Sequence, residues 1–246
     1  MSKDSIGDRM KNNYEVRTQT HLPRRTNTII RLDGKAFHSY TKGFPRPYDT
    51  VLMDDMDRTA VELVKSIQGA KMAYVQSDEI SIVLTDYDKL ETDAWFDGNV
   101  QKITSISASF ATGHFNSIRR YSCDKLAFFD SRCFTIPELS EVHNYFLWRQ
   151  LDATRNSIQM GAQSMFSHAE LQNKNTSELQ EMMFQKGTNW NDYPSGFKRG
   201  RVIVKREIKD SVDWCIEPAP IFTQNTEFIP NNILRPEEWY KLYLPQ

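Results

Sequence analysis

The chain has the length and composition of an ordinary folded protein. It contains 246 residues, of which 39% are hydrophobic, 12% aromatic and 26% charged. Only 10 glycines, 10 prolines and three cysteines occur, so collagen-like, disordered and disulfide-stapled proteins are excluded. The 31 basic and 32 acidic side chains give a formal net charge of −1, which at first sight argues against a nucleic-acid-binding protein.

The first predicted elements are a strand and a helix. The β-branched, apolar segment from Thr26 to Leu32 predicts a strand that ends at a tight turn, Asp33-Gly34. Further along, Asp49 or Thr50 can cap a helix. The apolar face of that helix consists of Met53, Met56, Ala60, Leu63, Val64 and Ile67.

A hairpin, a second helix and another strand follow. Strands at Met72–Val75 and Ile80–Leu84 flank a polar hairpin tip, Gln76-Ser77-Asp78-Glu79. A Ser- and Ala-rich helix is expected from Trp95 to about Phe115, and a further strand begins with Leu126–Asp130 and continues through CFTIP. The resulting order, β-α-β-β-α-β, is the split βαβ or ferredoxin-like arrangement, so we predict an α+β fold.

The second half of the chain adds helices and a β extension. The sequence turns helical from Glu138 to Gln185, and a basic, Gly-containing loop follows from Lys186 to Gly200. Arg201–Ile208 predicts a strand, and the Pro- and aromatic-rich tail is expected to be extended on the surface. The natural seam is residue 137, which separates a catalytic part, 1–137 with a basic N-terminal arm, from an extension, 138–246. One continuous domain is the alternative.

The ends and the cysteines indicate the compartment. The N-terminus is polar and no run of about 18 apolar residues occurs, so neither a signal peptide nor a membrane-spanning helix is expected. Cys123, Cys133 and Cys215 are widely spaced and form no CxxC pair, which favours reduced, partly buried thiols over a zinc site. We therefore predict a cytoplasmic protein without membrane contact.

The near-zero net charge hides an uneven distribution. Residues 1–31 carry seven basic and three acidic side chains, a net of +4, and residues 196–209 carry six and one, a net of +5. Residues 46–100 carry five basic and twelve acidic side chains, a net of −7. Basic ends could bind an anionic polymer, and an acidic centre could bind a metal beside it. The same pattern is also explained by charged faces that contact only solvent.

Two aspartates are the candidate chemical centre. In a split βαβ sheet the strand that ends at Asp33-Gly34 is the neighbour of the hairpin that carries Asp78, so both carboxylates meet at one edge. Together with the Gly34 carbonyl they offer the hard oxygen ligands that a pair of Mg²⁺ ions needs. Two such ions can clamp the attacking and leaving oxygens of a phosphoryl transfer. The adjacent Glu79 is interpreted as structural.

The turn after the first strand is a candidate phosphate site. Consecutive backbone N–H groups there can cradle a triphosphate, although neither a Walker A loop nor a GxGxxG motif is present. The residues of this turn are Gly34, Lys35, Ala36, Phe37 and His38. Arg46 in the loop FPRPYD and Lys102 on the second helix could neutralise phosphate charge. An Asp-Gly pair alone is usually only a turn, and a lone His38 is more often a core or turn histidine.

Several of these segments together resemble the tRNA(His) guanylyltransferase superfamily, whose pattern is RxDGRxFHxF, a KPND-like loop and AYGQSDEYSF. The segments that carry the likeness are Ile30–His38, Phe44–Asp49, Ala73–Ser81, Phe129–Arg132 and Tyr145–Asp152. The likeness covers roughly residues 26 to 157, and it continues weakly to Lys198-Arg199-Gly200.

The resemblance implies a polymerase-type palm that extends RNA in the 3′ to 5′ direction. In this family ATP, or GTP, activates the RNA 5′-monophosphate, and the 3′-hydroxyl of an incoming nucleoside triphosphate then attacks it. By position, Asp33, the Gly34 carbonyl and Asp78 would hold two Mg²⁺ ions. The backbone from Gly34 to His38 and Ser77 would contact the nucleotide, and Arg46 stands where the family has Lys. A homotetramer, a dimer of dimers, is also implied.

Two departures from the family pattern bear on the reaction. The HINNLYNT stretch of the eukaryotic guanylyltransferases is replaced by Thr154–Met160, where only Asn156 matches. The family's Arg-Arg pair is replaced by Gly98-Asn99, which leaves Lys102 alone. The first departure resembles the guanylyltransferase-like branch, so we predict templated repair of tRNA 5′ ends. Addition of G at position −1 of tRNA(His) is the alternative.

Other functions and the RNA contacts complete the predictions. A nucleotidyl cyclase is disfavoured because a GGDEF loop is absent, and a non-catalytic RNA-binding module because an RNP-type aromatic signature is absent. Phosphate contacts of the tRNA should make binding salt-dependent. The candidates for these contacts are Arg24, Arg25, Lys198, Arg199, Arg201 and Lys205.

Overall fold

The fold combines helices with one antiparallel sheet. A computed structural model describes residues 5–120, 123–209 and 211–234. The strands are β1 Asn27–Gly34, β2 Ala70–Gln76, β3 Glu79–Leu84, β4 Phe129–Ile136, β5 Arg201–Ile208 and β6 Ser211–Pro218. The helices are α1 Ile6–Met10, α2 Phe37–Tyr40, α3 Thr50–Ser66, α4 Val100–Arg119, α5 Leu139–Gln163, α6 His168–Leu171, α7 Thr176–Gln185, α8 Ser195–Arg199 and α9 Phe228–Ile233.

The sheet has six strands in the order β4-β1-β3-β2-β5-β6, and every neighbouring pair is antiparallel. The first four strands, with α3 and α4 between them, follow the β-α-β-β-α-β order predicted from the sequence. Strand β5 pairs with β2, so the C-terminal segment extends the same sheet. The division of the chain at residue 137 stays a prediction.

Helices cover both faces of the sheet. Because side chains alternate along a strand, Ile30 and Leu32 face α3 and α4, whereas Ile29 lies in the other layer with α5. Arg31 and Asp33, which have the same parity as Ile29, therefore share the α5 face. This alternation places the candidate aspartate beneath the long helix α5.

Capping side chains set the helix boundaries. Asp49 begins α3 because its Oδ1 accepts hydrogen bonds from the N–H groups of Val51 and Leu52, at 2.9 and 3.2 Å. The second predicted helix starts five residues later than expected, at Val100. Asn99 is its N-cap, and the preceding residues form a separate turn with left-handed backbone at Phe96 and Asp97.

Capping also divides the helical region predicted from Glu138 to Gln185 into α5, α6 and α7. Ser167 and Asn175 each form a capping box, with Glu170 and Glu178 respectively, and each box begins a new helix.

The prediction of an extended surface tail fits the edge strand β6, which is largely exposed, but it is wrong for the described residues that follow this strand. Residues 211–218 form the edge strand β6, and α9 follows it. Phe222, Ile229 and Ile233 are fully or almost fully buried in the layer beneath α5, because their apolar side chains complete that core. The last twelve residues of the predicted tail, 235–246, lie outside the described residues.

The predicted basic loop from Lys186 to Gly200 is also more ordered than expected. It contains a short helical turn, Trp190–Asp192, and helix α8. Trp190 packs with α5 and α7 in a small separate core, which draws this segment inwards.

The three cysteines are free and half-buried, as predicted. Burial raises the pKa of Cys133 to about 11, so its thiol stays protonated. Within residues 5–120, 123–209 and 211–234, no helix is long and apolar enough to cross a membrane.

Candidate active site

Asp33 and Asp78 lie at the same edge of the sheet. Asp33 is paired with Glu79 across β1 and β3, and the Gly34 N–H donates to the Asp78 carbonyl at 3.2 Å. Both aspartates line a cavity of about 290 Å³ beneath α5. The complete lining is Arg31, Asp33, Gln76, Ser77, Asp78, Glu79, Trp148, Arg149, Asp152 and Asn156. The predicted convergence of the two carboxylates is therefore present, and their catalytic and metal-binding roles stay predictions.

The charge of Asp33 affects the ionisation of Asp78. Burial, and to a lesser extent the negative charge of Asp33, raise the pKa of Asp78 to about 6. Hydrogen bonds from the Asp78 backbone and the Ser77 hydroxyl act against this shift. A cation placed between the carboxylates would stabilise the ionised form of Asp78.

Glu79 lines the same cavity as the two aspartates, but its carboxylate is held by α5. Arg149 donates from Nε to Oε1 at 2.8 Å and from Nη2 to Oε2 at 2.6 Å, and both side chains are buried. Asp152 accepts a further bond from Arg149 at 3.0 Å. The structural role predicted for Glu79 matches this arrangement, which fixes the hairpin tip to the helix.

The turn from Gly34 to His38 does not present five available N–H groups, as the sequence analysis expected. The Gly34 N–H is used by Asp78, and the Lys35 N–H donates to the Phe128 carbonyl at 2.8 Å. The Phe37 ring is buried in the core, and a Cβ added at Gly34 would lie 2.2 Å from it. A phosphate can therefore meet only the N–H groups of the later residues, beginning at Ala36, whose backbone is left-handed (φ 53°). His38 is exposed and is not among the lining residues of the cavity.

The two predicted phosphate-neutralising side chains are placed differently. Arg46 is exposed in the loop before α3. Lys102 lies on the first turn of α4, whereas Thr112, further along this helix, contacts Phe129 opposite Gly34. Ten residues of helix span about 15 Å, so α4 carries Lys102 towards the far end of the sheet. The structure does not bring Lys102 to the aspartate cavity of its own chain.

Two of the predicted RNA contacts belong to the core. Lys198 is 7% exposed, and its ammonium donates to the Asn191 carbonyl and lies over the Trp190 ring. Arg201 is 6% exposed and donates from Nε to both carboxylate oxygens of Asp57, at 2.7 Å each. These predictions are wrong because the side chains point inwards from α8 and β5, the helix and the strand that carry them.

The other basic candidates are divided between the two ends of the sheet. Arg24 donates from Nε to Asp86 at 2.7 Å, and the Arg25 N–H donates to the same carboxylate. Both lie before β1 begins, at the opposite end of that strand from Asp33. Arg199 is half-buried, and the exposed Lys205 holds its ammonium over the Trp214 ring. Their contacts with RNA stay predictions.

A second, smaller cavity was missed by the sequence analysis. It has a volume of about 60 Å³ and shares Gln76, Ser77 and Asn156 with the aspartate cavity. Its outer wall is aromatic, since the rings of Tyr48 and Phe197 lie 4.7 Å apart. Tyr48 lies in the FPRPYD loop, but nothing in the sequence shows that α8 meets this loop.

Seven of the ten lining residues of the aspartate cavity were left out of the predicted site, and three of the seven lie on one segment of α5. Trp148, Arg149 and Asp152 belong to the WRQLD segment at the centre of α5. That segment carries part of the family resemblance, so the sequence did contain a signal for them.

Comparison with known proteins places this site in a family. The family model named Thg1, tRNAHis guanylyltransferase, matches residues 7–137, which is more than half of the chain. The chain belongs to this family. The tRNA(His) guanylyltransferase of Saccharomyces cerevisiae is 28% identical over 199 residues, covering 72% of this chain and 82% of that protein.

Solved structures agree with the family assignment. A bacterial tRNA(His) guanylyltransferase (Thg1)-like protein in complex with ATP has a TM-score of 0.87 and 44% identity to this chain. The corresponding GTP complex has a TM-score of 0.83 and 43% identity, and each comparison covers 94% of this chain and 99% of that chain. The predictions of a Thg1-family protein and of a nucleotidyltransferase are confirmed. The named relatives favour the guanylyltransferase alternative over the templated repair that the sequence analysis preferred.

Proposed function

We propose that this protein is a Mg²⁺-dependent tRNA(His) guanylyltransferase that binds ATP and GTP and adds G at position −1. The observation that carries the proposal is the meeting of Asp33 and Asp78 in one cavity, on a chain that belongs to the Thg1 family. Nucleotide binding is supported by the likeness to the bacterial Thg1-like protein whose structures hold ATP and GTP.

In this proposal the first four strands with α3 and α4 form a ferredoxin-like polymerase palm. The split βαβ order of these elements supports that description. The reacting groups would meet at the edge that carries Asp33 and Asp78. The enzyme would act in the cytoplasm on tRNA and nucleoside triphosphates, as a homotetramer built as a dimer of dimers.

The residues present fit two Mg²⁺ ions that also take oxygens from the substrate. Asp33 and Asp78 are hard-oxygen ligands that line one cavity, and the Gly34 backbone lies beside Asp78 because its N–H donates to the Asp78 carbonyl. The described ranges contain no group of three or more His, Cys, Asp or Glu side chains that could hold a metal alone. Magnesium commonly binds through one or two carboxylates together with substrate phosphates. When bound, the ions supply charge neutralisation and polarise the reacting oxygens.

The chain's own groups would position the nucleotides. N–H groups from Ala36 to His38 and the exposed Arg46 can bind phosphate oxygens, and Ser77 lies between the two cavities. The small cavity beside Tyr48 and Phe197 offers aromatic rings to a base.

The reaction then has two steps. Attack of the tRNA 5′-phosphate on the α-phosphorus of ATP releases pyrophosphate and leaves an adenylylated end. The 3′-hydroxyl of GTP then forms a bond to that 5′-phosphorus, AMP departs, and the hydroxyl proton passes to solvent.

The decisive experiment is transfer of labelled guanylate to tRNA(His) that lacks G−1 and carries a 5′-monophosphate. With ATP, GTP and Mg²⁺ the wild-type protein should lengthen this RNA by one nucleotide. Asp33→Asn and Asp78→Asn should abolish transfer while circular dichroism shows an unchanged fold. Asp130→Asn is the matched control, because this exposed aspartate lies opposite Asp33 on β4 but outside the cavity. Normal transfer by either cavity variant would overturn the proposal.

Templated repair of truncated tRNA is a second candidate. It is favoured by the stretch Thr154–Met160, which departs from HINNLYNT at every position except Asn156. A tRNA that lacks one 5′ nucleotide, offered each nucleoside triphosphate separately, distinguishes the two. Addition of G whatever the opposite base supports the guanylyltransferase, whereas addition of only the complementary base supports repair.

A further inference from the structure

Trp148 has an unusual position for the largest apolar type of side chain. It projects from α5 and is 52% exposed. It lines the aspartate cavity, and it also lines a neighbouring open cavity of about 420 Å³ bounded by the end of β4 and the start of α5. The indole therefore forms the ridge between the candidate active site and the surface beyond it.

The ring is held in place despite its exposure. The guanidinium carbon of Arg149 lies 4.4 Å from the ring centroid, and that of Arg31 lies 5.8 Å from it. Tyr145 meets the indole edge-on, at 6.0 Å between centroids. Because Arg149 is fixed by Glu79, its contact orients the indole as well. An exposed aromatic ring that is already ordered loses little entropy when a flat ligand stacks on it.

The charges near the ring indicate which part of a nucleotide it would meet. Glu138 and Glu141 line the open cavity beyond Trp148, and the described lining of that cavity contains no lysine or arginine. A phosphate would be repelled there, whereas an uncharged base would not. On the other side of the ring, Arg31 lies within the aspartate cavity, where the phosphates would be.

We propose that the indole of Trp148 is the stacking platform for the 5′-terminal base of the RNA that this enzyme extends. The inference rests on the proposed function, since it assigns the RNA end to the site where Asp33 and Asp78 act. The incoming nucleotide has a separate aromatic cavity at Tyr48 and Phe197. Stacking on an aromatic ring accepts any base, which suits a contact with a terminus.

The test uses an acceptor-stem hairpin RNA with a 5′-monophosphate and 2-aminopurine as its first base, titrated without nucleotide. Stacking on the indole quenches the fluorescence of 2-aminopurine. Wild-type protein should quench the signal, and Trp148→Ala should bind this RNA about 5- to 150-fold more weakly and without quenching. Trp148→Phe should retain most of the affinity. Leu151→Ala is the matched control, because Leu151 is 58% exposed on the same helix but lines neither cavity.

Binding of labelled ATP is measured in parallel. Trp148→Ala should lose less affinity for ATP than for the RNA, and Leu151→Ala should lose affinity for neither. Equal RNA affinity and quenching in wild type and Trp148→Ala would overturn the inference. The inference would also be overturned if Trp148→Ala lost ATP affinity by the same factor as RNA affinity, because that shows a general structural role. A change in the oligomeric mass of Trp148→Ala without a change in its RNA binding would overturn it as well. Failure of the wild-type protein to bind the RNA overturns the inference too. The proposed function is tested separately, because it fails if the wild-type protein shows no transfer in the guanylate assay.

Discussion

Arg149 and Glu79 form a buried, two-pronged ion pair that joins α5 to the hairpin tip. The two hydrogen bonds measure 2.8 and 2.6 Å, and the side chains are 7% and 5% exposed. Since Glu79 follows Asp78 in the chain, the pair also fixes the strand end from which the candidate catalytic carboxylate projects. Trp148 stacks on the same guanidinium. One arginine thus organises both sides of the cavity.

Arg149→Ala should lower the free energy of unfolding by about 3–5 kcal/mol, because it leaves the Glu79 carboxylate buried without its partner. Chemical denaturation measures the loss. Arg155→Ala is the matched control on the same helix, since Arg155 is an exposed partner of Asp152, and it should cost less than about 1 kcal/mol. Equal losses in the two variants would contradict the assignment.

The pKa of Asp78 should be visible in the pH dependence of stability. Burial and the charge of Asp33 raise this pKa from 3.8 to about 6, so the native state holds the proton more tightly than the unfolded chain does. The free energy of unfolding of the metal-free protein should therefore fall as pH rises from about 4 to about 6, by up to about 3 kcal/mol. Asp78→Asn should remove this part of the pH dependence.

Asp33→Asn should lower the pKa of Asp78, because it removes the like charge and leaves burial as the main cause of the shift. A carboxyl ¹³C NMR titration measures this pKa directly. Asp130→Asn, opposite Asp33 on β4, should leave it unchanged. A pKa that does not respond to Asp33→Asn would show that the two carboxylates do not interact.

Gly34 and Gly113 should respond in opposite ways to the same substitution. A Cβ at Gly34 would lie 2.2 Å from the Phe37 ring, so Gly34→Ala should destabilise the protein by about 1–3 kcal/mol and disturb the turn after β1. Gly113 lies within α4 with open space around it, and Gly113→Ala should stabilise by about 0.5–1 kcal/mol. Thermal unfolding of both variants tests the contrast.

The sequence predicted the central sheet well because local signals specify it. Apolar alternation defines β1 and β3, and the face of α3 from Met56 to Ile67 is buried as its spacing predicts. The meeting of Asp33 and Asp78 follows from strand order alone, since β1 and β3 are neighbours. Periodicity and topology together were sufficient for this edge of the sheet.

Long-range packing explains what the sequence did not predict. The direction of α4 relative to β4 decides that Lys102 lies far from Gly34, and no local pattern encodes that distance. Lys198 and Arg201 read as surface cations because their partners, Asn191 and Asp57, become neighbours only through the folding of α8 and α3. Arg201 was assigned to solvent because its counter-charge, Asp57, is distant in sequence. Lys198 was assigned to solvent because its partners are an uncharged carbonyl and the Trp190 ring.

Arg201 offers a direct test of that correction. Arg201→Met should lower the free energy of unfolding by about 3–5 kcal/mol at pH 7, because it leaves Asp57 buried and unpaired. Burial already raises the pKa of Asp57 and Arg201 opposes that shift, so without the arginine the pKa rises further. Protonation of Asp57 removes the cost of burying an unpaired carboxylate. The difference in the free energy of unfolding between wild type and Arg201→Met should therefore shrink as pH falls from 7 towards 4.

Lys205→Ala is the matched control, since Lys205 is exposed on the same strand, and its stability should stay within about 0.5 kcal/mol of wild type. Denaturation at pH 4 and pH 7 is compared with the salt dependence of tRNA binding. If Arg201 contacted phosphates, Arg201→Met would reduce the slope of log K against log salt and leave stability unchanged. The buried ion pair instead predicts a large stability loss with an unchanged slope in the fraction that remains folded.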